Sequence, residues 1–429
     1  MSRFIVQFQS PDAKAQFLDQ NGVMNDIEFS IQLNGKSFVP VHDLATLPVL
    51  VIEPVQPGEE IIDGNILFKD VKGIKSWESD VALYLAGSSA CTILNINFIN
   101  KSIYGPFHGD NIPVAIIDSG VDISHPDLEG CILAQKKFRK ISREAVTAEQ
   151  DDLGHGTAIA GIICGSGSSS GGKYTGIVTG AKIIDCNAFD GSGKGLLSDV
   201  LSALEFAAAS GAKVICMPFS SLPVAKPSKI FENLLVHLAS ELQIVLCAGT
   251  GNGGPEESTI GMPGCYDCVL TTGSLTPNLM VSVFSGRGAP NSSKPDFCLP
   301  GEDIFSLNVE HSLFKDQVVD ENEYYATFTG NSMSVAVLAG IVTMIVEVTP
   351  YLKPEDIKWL MRASCLKIRR AAKISAGYGI MNLTIMLKRL NVLYAFHKSY
   401  VTMSKEMILL ASTIIFFTVA VSMMLASFI

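Results

Sequence analysis

Val114-Ala115-Ile116-Ile117-Asp118-Ser119-Gly120 is an apolar run that ends on a carboxylate, a hydroxyl and a glycine. A strand apolar on both faces must be covered on both sides, and such strands belong to parallel sheets. Similar runs recur at Lys182 to Ile184, Val214 to Met217, Ile244 to Ala248 and Val269 to Thr272. Longer helical patterns, such as Leu197 to Ala209 and Phe231 to Glu241, separate them. The alternation predicts an α/β fold with a doubly wound, mainly parallel sheet. In such sheets chemistry collects at the carboxyl ends of strands, where Asp118 stands. The glycine-rich stretch Gly165 to Gly172 and the Gly251-Asn252-Gly253-Gly254-Pro255 run are the loops to watch.

The chain has 429 residues, enough for one large domain with smaller attachments. Its formal net charge of -10 leaves no basic footprint, so nucleic acid is excluded as a partner. The ten cysteines are dispersed through apolar segments and read as small buried hydrophobes of a reducing compartment. Cys265-Tyr266-Asp267-Cys268 has no second pair and no histidine at zinc spacing.

Phe4 to Phe8, a helical stretch near Ala13 to Asp19, an alternating Glu28 to Leu33 and Leu47 to Glu53 predict a small α+β domain over residues 1–90. Its boundary falls where the pattern loosens, in residues 75–105. A larger domain over 91–395 follows, then a juxtamembrane linker over 396–406. Residues 407–429 contain no charged side chain and form a stretch of 23 residues, which as a helix crosses a bilayer. Pro11, Asp12 and Lys14 come too early for a signal-peptide core. Lys388, Arg389, Lys398 and Lys405 precede the apolar stretch, and no charge follows it. These features predict a single-pass, C-terminally anchored membrane protein with its main domain in the cytoplasm.

The chemistry lies in three places. Asp118 ends a buried strand and needs a partner there. His155 is flanked by Gly154 and Gly156, which let other backbone approach closely. Ser332, in Phe328-Thr329-Gly330-Asn331-Ser332-Met333-Ser334, precedes the apolar run Val335 to Val346. It is therefore expected on the first turn of a buried helix, where unpaired N–H groups favour negative charge. Taken singly, each residue reads as an ordinary turn or cap. Taken together they are complementary: imidazole takes the proton of a weakly acidic hydroxyl, and carboxylate fixes the imidazole tautomer.

Asp118-Ser119-Gly120 with His125-Pro126-Asp127-Leu128, then Gly154-His155-Gly156-Thr157, then Gly330-Asn331-Ser332-Met333-Ser334 resemble the three signature blocks of subtilisin-like serine proteases, in that order. The likeness runs from about Asn111 to Leu383. It includes Asp190-Gly191-Ser192-Gly193, Pro300-Gly301 and Gly377-Tyr378-Gly379-Ile380-Met381-Asn382. The resemblance implies a serine endopeptidase with Asp118, His155 and Ser332 as its triad and no cofactor in catalysis. Relatives often carry structural calcium, and no complete oxygen-ligand set can be traced here. Arg3 to Phe8 also looks like the first strand of the inhibitory propeptide of many subtilases. By the same resemblance, a peptide or unfolded protein would lie extended between Gly191-Ser192-Gly193 and Met217-Pro218-Phe219-Ser220, adding a strand.

Several residues depart from the family pattern. Asn331 stands where threonine is common, and Ser334-Val335-Ala336-Val337 replaces the usual continuation. Ala158 stands where a second histidine is expected, and Pro218-Phe219 replaces Ser-Leu. The oxyanion donor is expected beyond the strand Ile244 to Ala248. Ungapped alignment points to Thr250, while the Asn-Gly-Gly-Pro match points to Asn252, which is the expected donor because an amide presents two donors and threonine one rotatable hydroxyl. The rival expectation is a catalytically inactive subtilase fold that binds peptide at the membrane.

Overall fold

The computed structural model describes residues 4–24, 29–33, 36–44, 47–54, 67–68, 71–79, 82–85, 107–138, 151, 153–223, 227–310, 312, 318, 323–368, 371–382, 385–386, 388–390 and 392. The linker at 396–406 and the apolar stretch at 407–429 lie outside these residues, as does most of the expected boundary region.

The N-terminal unit comprises β1 (Phe4–Phe8), α1 (Pro11–Asn21), β2 (Gly22–Met24), β3 (Phe29–Leu33), β4 (Lys36–Leu44), β5 (Val49–Pro54) and β6 (Ile74–Ser79). Its strands form one sheet in the order β2-β3-β4-β5-β1-β6. Alternation along β1 divides its side chains between two cores. Phe4, Val6 and Phe8 pack with Phe17, Phe38, Leu50 and Ile52. Ile5 joins Leu44, Val49 and Val51 in the core of the larger domain.

The larger domain is built on β8 (Pro113–Asp118), β9 (Ile132–Lys137), β10 (Lys182–Asn187), β12 (Val214–Met217), β14 (Val245–Gly249), β15 (Leu270–Leu275), β16 (Phe297–Pro300), β19 (Cys365–Leu366) and β20 (Ile380–Met381). Their order is β19-β20-β16-β15-β14-β12-β8-β10-β9, and every pairing is parallel except β19 with β20. Val114 and Ile116 face a core shared with α2 (His155–Cys164) and α5 (Asn331–Val348). Ala115 and Ile117 face a core shared with α3 (Leu197–Ala209) and α4 (Lys229–Ser240). The strand is thus apolar on both faces because helices cover both, as the sequence predicts. α5 is long and apolar enough to cross a membrane, yet 89% of it is buried inside the protein, so here it is the core helix.

Two small sheets lie beside the main one. β17 (Ile304–Leu307) pairs with β18 (Tyr325–Phe328), which leads into α5. β7 (Ala82–Leu85) lies between β11 (Lys194–Leu196) and β13 (Phe219–Ser220), antiparallel to both.

Candidate active site

Asp118 is the last residue of β8 and is fully buried. His155 is the first residue of α2, reached through Gly154 at φ 79°, a left-handed turn that suits glycine. Its Nδ1 lies 2.8 Å from Asp118 Oδ2 and 2.9 Å from Oδ1. A Cβ on Gly156 would stand 2.0 Å from the Gly120 carbonyl oxygen, so only glycine lets α2 come this close to β8. His155 Nε2 is buried and has no hydrogen-bond partner among the described residues.

A second carboxylate braces this pair. Asp151 Oδ1 accepts the Ser119 hydroxyl (2.8 Å) and the Leu153 and Gly154 N–H groups. Its Oδ2 accepts both the N–H and the hydroxyl of Thr157, on the first turn of α2. Asp151 thereby caps the helix that carries His155. Ser119 Oγ also lies 3.1 Å from Asp118 Oδ1 and accepts the Gly156 N–H, tying strand to helix.

Burial opposes charge on the His155 imidazole, but the Asp118 carboxylate, by charge and hydrogen bond, outweighs it with help from Asp151, and the pKa is raised. Burial pushes Asp151 up as well, against the donors from Thr157 and Ser119. A third buried carboxyl, Asp185 on β10, accepts the Val121 N–H. Burial, then the Asp151 charge, push its pKa well up and favour its neutral form.

Ser332 lies on the first turn of α5, behind Gly330 as N-cap, as expected from sequence. Its hydroxyl donates to the Pro218 carbonyl at 2.8 Å. Asn331 stitches this helix start to the loop after β14. Its N–H donates to Asn252 Oδ1 (2.9 Å), its Oδ1 accepts the Gly251 N–H, and its Nδ2 donates to the Thr272 carbonyl. A Cβ on Gly249 would meet Asn331 Oδ1 at 1.9 Å, so the amide fits only against glycine. Thr250 is fully buried, its hydroxyl 3.0 Å from Ser285 Oγ. Of the two oxyanion candidates, the structure therefore brings Asn252, and not Thr250, to the serine helix.

The expected edges were Gly191-Ser192-Gly193 and Met217 to Ser220; the structure instead pairs a strand of the chain itself, β7, with β11, directly after the first edge, and with β13, within the second. Leu83 pairs with Gly195 and Tyr84 with Lys194 on one side; Tyr84 pairs with Ser220 and Leu85 with Phe219 on the other. Phe219 is buried against Phe189, ring centroids 5.0 Å apart, and forms the floor. Gly191, Ser192 and Gly193 form a turn just ahead of the pairing strand. Asp190 Oδ1 accepts the Ser192 and Lys194 N–H groups there, so those donors close the turn instead of meeting a peptide.

The glycine-rich loop at 165–172 wraps Asp127. Its carboxylate accepts the Gly167 and Ser169 N–H groups and the Ser168 and Tyr325 hydroxyls. Four donors on one carboxylate suit hydrogen bonding and do not fit a cation. Among the described residues no cluster of three or more His, Cys, Asp or Glu side chains could hold a metal.

Serine protease AprX of Bacillus subtilis is 31% identical over 305 residues, covering 64% of this chain and 65% of AprX. The chain thus spans just under two thirds of that relative's length. Subtilisin DY of Bacillus licheniformis is 25% identical over 276 residues, covering 64% of this chain and 90% of that protein. The crystal structure of fervidolysin from Fervidobacterium pennivorans, a keratinolytic enzyme related to subtilisin, superposes with a TM-score of 0.68 at 19% identity, covering 90% of this chain and 61% of that one. The Subtilase family profile matches residues 109–380, the span that holds Asp118, His155 and Ser332. With more than half of its length matched and the parallel sheet in place, the chain belongs to the subtilase family.

Proposed function

We propose that the chain is a serine endopeptidase that cleaves peptides and unfolded protein. The observation that carries this reading is His155, with Nδ1 held by Asp118 and a buried Nε2 that has no partner among the described residues. Such an imidazole can take the Ser332 proton as Oγ attacks a carbonyl, then return it to the leaving amine, before water releases the acyl group. The Ser332 N–H and the Asn252 side chain would receive the oxyanion. A fluorophosphonate probe tests this: labelling that disappears in Ser332→Ala supports the reading, and absence of labelling in folded, N-terminally processed protein refutes it. The Ser332 hydroxyl resting on Pro218 favours the second reading, an inactive peptide-binding subtilase fold.

The pH dependence has a fixed sign. Turnover needs neutral His155, so kcat/KM should fall on the acid side through a pKa above the ordinary imidazole value. Stability runs oppositely: the Asp118 and His155 pair stabilises below the ordinary imidazole range, and that contribution fades as pH rises through the raised value. Asp151→Asn removes one of the charges that raise His155, so the acid limb should move to lower pH. An unmoved or upward-shifted limb would refute the brace's electrostatic part.

β7 supports reading the N-terminal unit as an inhibitory propeptide, since it adds a strand where a substrate would. Self-cleavage should fall beyond Leu85, within residues 86–106, and the Ser332→Ala protein should stay whole. N-terminal sequencing that finds an active enzyme still carrying β1 to β7 would make the unit an accessory domain.

The uncharged stretch at 407–429 and the basic residues before it support a single-pass anchor with the peptidase domain in the cytoplasm. Loss of that domain when intact cells are treated with protease would reverse the orientation.

A further inference from the structure

The end of β13 and the loop after β14 meet through one side chain. Ser220 Oγ donates to the Ser221 carbonyl at 3.0 Å. A Cβ on Gly251 would stand 3.0 Å from that oxygen and 3.1 Å from Ser220 Cβ, and a Cβ on Gly261 would stand 2.7 Å from the same oxygen. Non-bonded heavy atoms at contact need about 3.5 Å. The Ser220 side chain therefore fills the space that a side chain on either glycine would claim.

Both walls are held in place. The Ser221 N–H donates to the Met262 carbonyl (2.9 Å) and the Met262 N–H to Ser221 Oγ (3.0 Å), which fixes the strand end to the segment at 261–262. On the other side the Gly251 N–H donates to Asn331 Oδ1, and the Gly251 carbonyl accepts the Gly286 N–H.

The register on β13 gives this spot its meaning. There β7 sets Tyr84 opposite Ser220 and Leu85 opposite Phe219. A peptide laid in the same register puts its next residue opposite Pro218, whose carbonyl holds the Ser332 hydroxyl. That residue offers its carbonyl to Ser332 and Asn252. The opening nearest its Cα lies between Pro218-Phe219-Ser220 and Gly251-Asn252, since both segments adjoin the start of α5. A methyl or hydroxymethyl group can stop at the mouth of this opening, whereas a longer side chain would have to pass the Ser220 hydroxyl.

We propose that Ser220 restricts the residue on the acyl side of the scissile bond to glycine, alanine or serine. The inference rests on the peptidase reading above and names its substrate class, peptides and unfolded segments cut after small residues. The chain's own sequence agrees: Leu85 is followed by Ala86-Gly87-Ser88-Ser89-Ala90, five small residues at the start of the span in which self-cleavage is expected.

Two peptides that differ only in this residue, Ala or Phe, test it in two measurements, on protein whose N-terminal unit has been released after folding at an introduced site-specific protease site. In the first, kcat/KM for the Ala peptide should exceed that for the Phe peptide by about 100-fold or more, and Ser220→Gly should shrink this ratio by at least about tenfold. A ratio cancels any general change of turnover in the variant. In the second, the Ser332→Ala protein should bind the Ala peptide at least about tenfold more tightly than the Phe peptide by fluorescence polarisation, and adding Ser220→Gly should close the gap. Cleavage of neither peptide, with the binding gap present and closed by Ser220→Gly, would end the peptidase reading and leave the narrow recess standing. Cleavage of both at similar kcat/KM, a ratio that Ser220→Gly does not move, or, without cleavage, binding that does not distinguish the two peptides overturns the proposal.

Discussion

Ser332→Ala and His155→Ala are each expected to lower peptide hydrolysis by about 10⁶-fold, because triad members act as a unit and losing one costs nearly as much as losing all. The direction follows from the site as built. Asp118 can orient only an imidazole that is present, and the first turn of α5 can stabilise only an oxygen that is attached to it. Both proteins should remain folded, for different reasons. The Ser332 hydroxyl donates to the Pro218 carbonyl, and its loss leaves no buried charge. Removing His155 leaves Asp118 buried with the Ser119 N–H and hydroxyl, so some loss of stability is expected there. Steady-state hydrolysis of a chromogenic peptide is the measurement, with the N-terminal unit of every protein removed at an introduced site-specific protease site, because neither variant is expected to process itself. Near wild-type turnover in either well-folded variant would end the peptidase reading.

Asn252→Ala should lower kcat by roughly 10²- to 10³-fold with KM little changed, since the lost donor meets charge that exists only in the transition state. Asn252 Oδ1 is occupied by the Asn331 N–H, which orients the amide and turns its NH₂ end to the donor role. Thr250→Ala should behave differently. Its hydroxyl sits with Ser285 in the core, so the variant should lose about 1 kcal/mol of stability and keep most of its kcat. Denaturant titration and Michaelis–Menten kinetics on both variants separate the two outcomes. A large kcat loss in Thr250→Ala at intact stability, with Asn252→Ala unaffected, would transfer the role to Thr250.

Covered strands and helices were legible because burial on both faces leaves an uninterrupted apolar signature. Val214–Met217, Leu197–Ala209 and Phe4–Phe8 are observed with the bounds expected from sequence. Edge and accessory strands were not. Lys36–Leu44 carries Pro40 at a register shift, and Ile132–Lys137 ends in Gln135-Lys136-Lys137 because it borders solvent at the sheet's edge. Ala82–Leu85 lies in the stretch that read as a loosened boundary, since its partners, β11 and β13, are over a hundred residues away. Asp118, His155 and Ser332 were legible only together, as complementary groups in the order of the subtilase signature blocks, each within two residues of a glycine. Asp151 was missed because it lies three residues ahead of the N-cap Gly154 and reaches Thr157 six residues on, outside the ordinary spacing of a cap. Asn331 registered only as a departure from threonine. Its reason is an amide that joins Gly251, Asn252 and Thr272 across the fold, which spacing along the chain cannot reveal.

On the proposed reading of the N-terminal unit, β7 would make the intact chain its own competitor. Tethered between β11 and β13, it would occupy the slot at an effective concentration that is a property of the connecting chain, and dilution would not lower it. A free peptide would have to exceed that value before meeting Ser332, so weak and abundant peptides would be held off while the tether lasts. Once the connection is cut, the same strand would become an ordinary ligand whose occupancy falls with volume. The chain would thus carry a one-way change from a concentration-independent to a concentration-dependent regime, written into a strand of four residues.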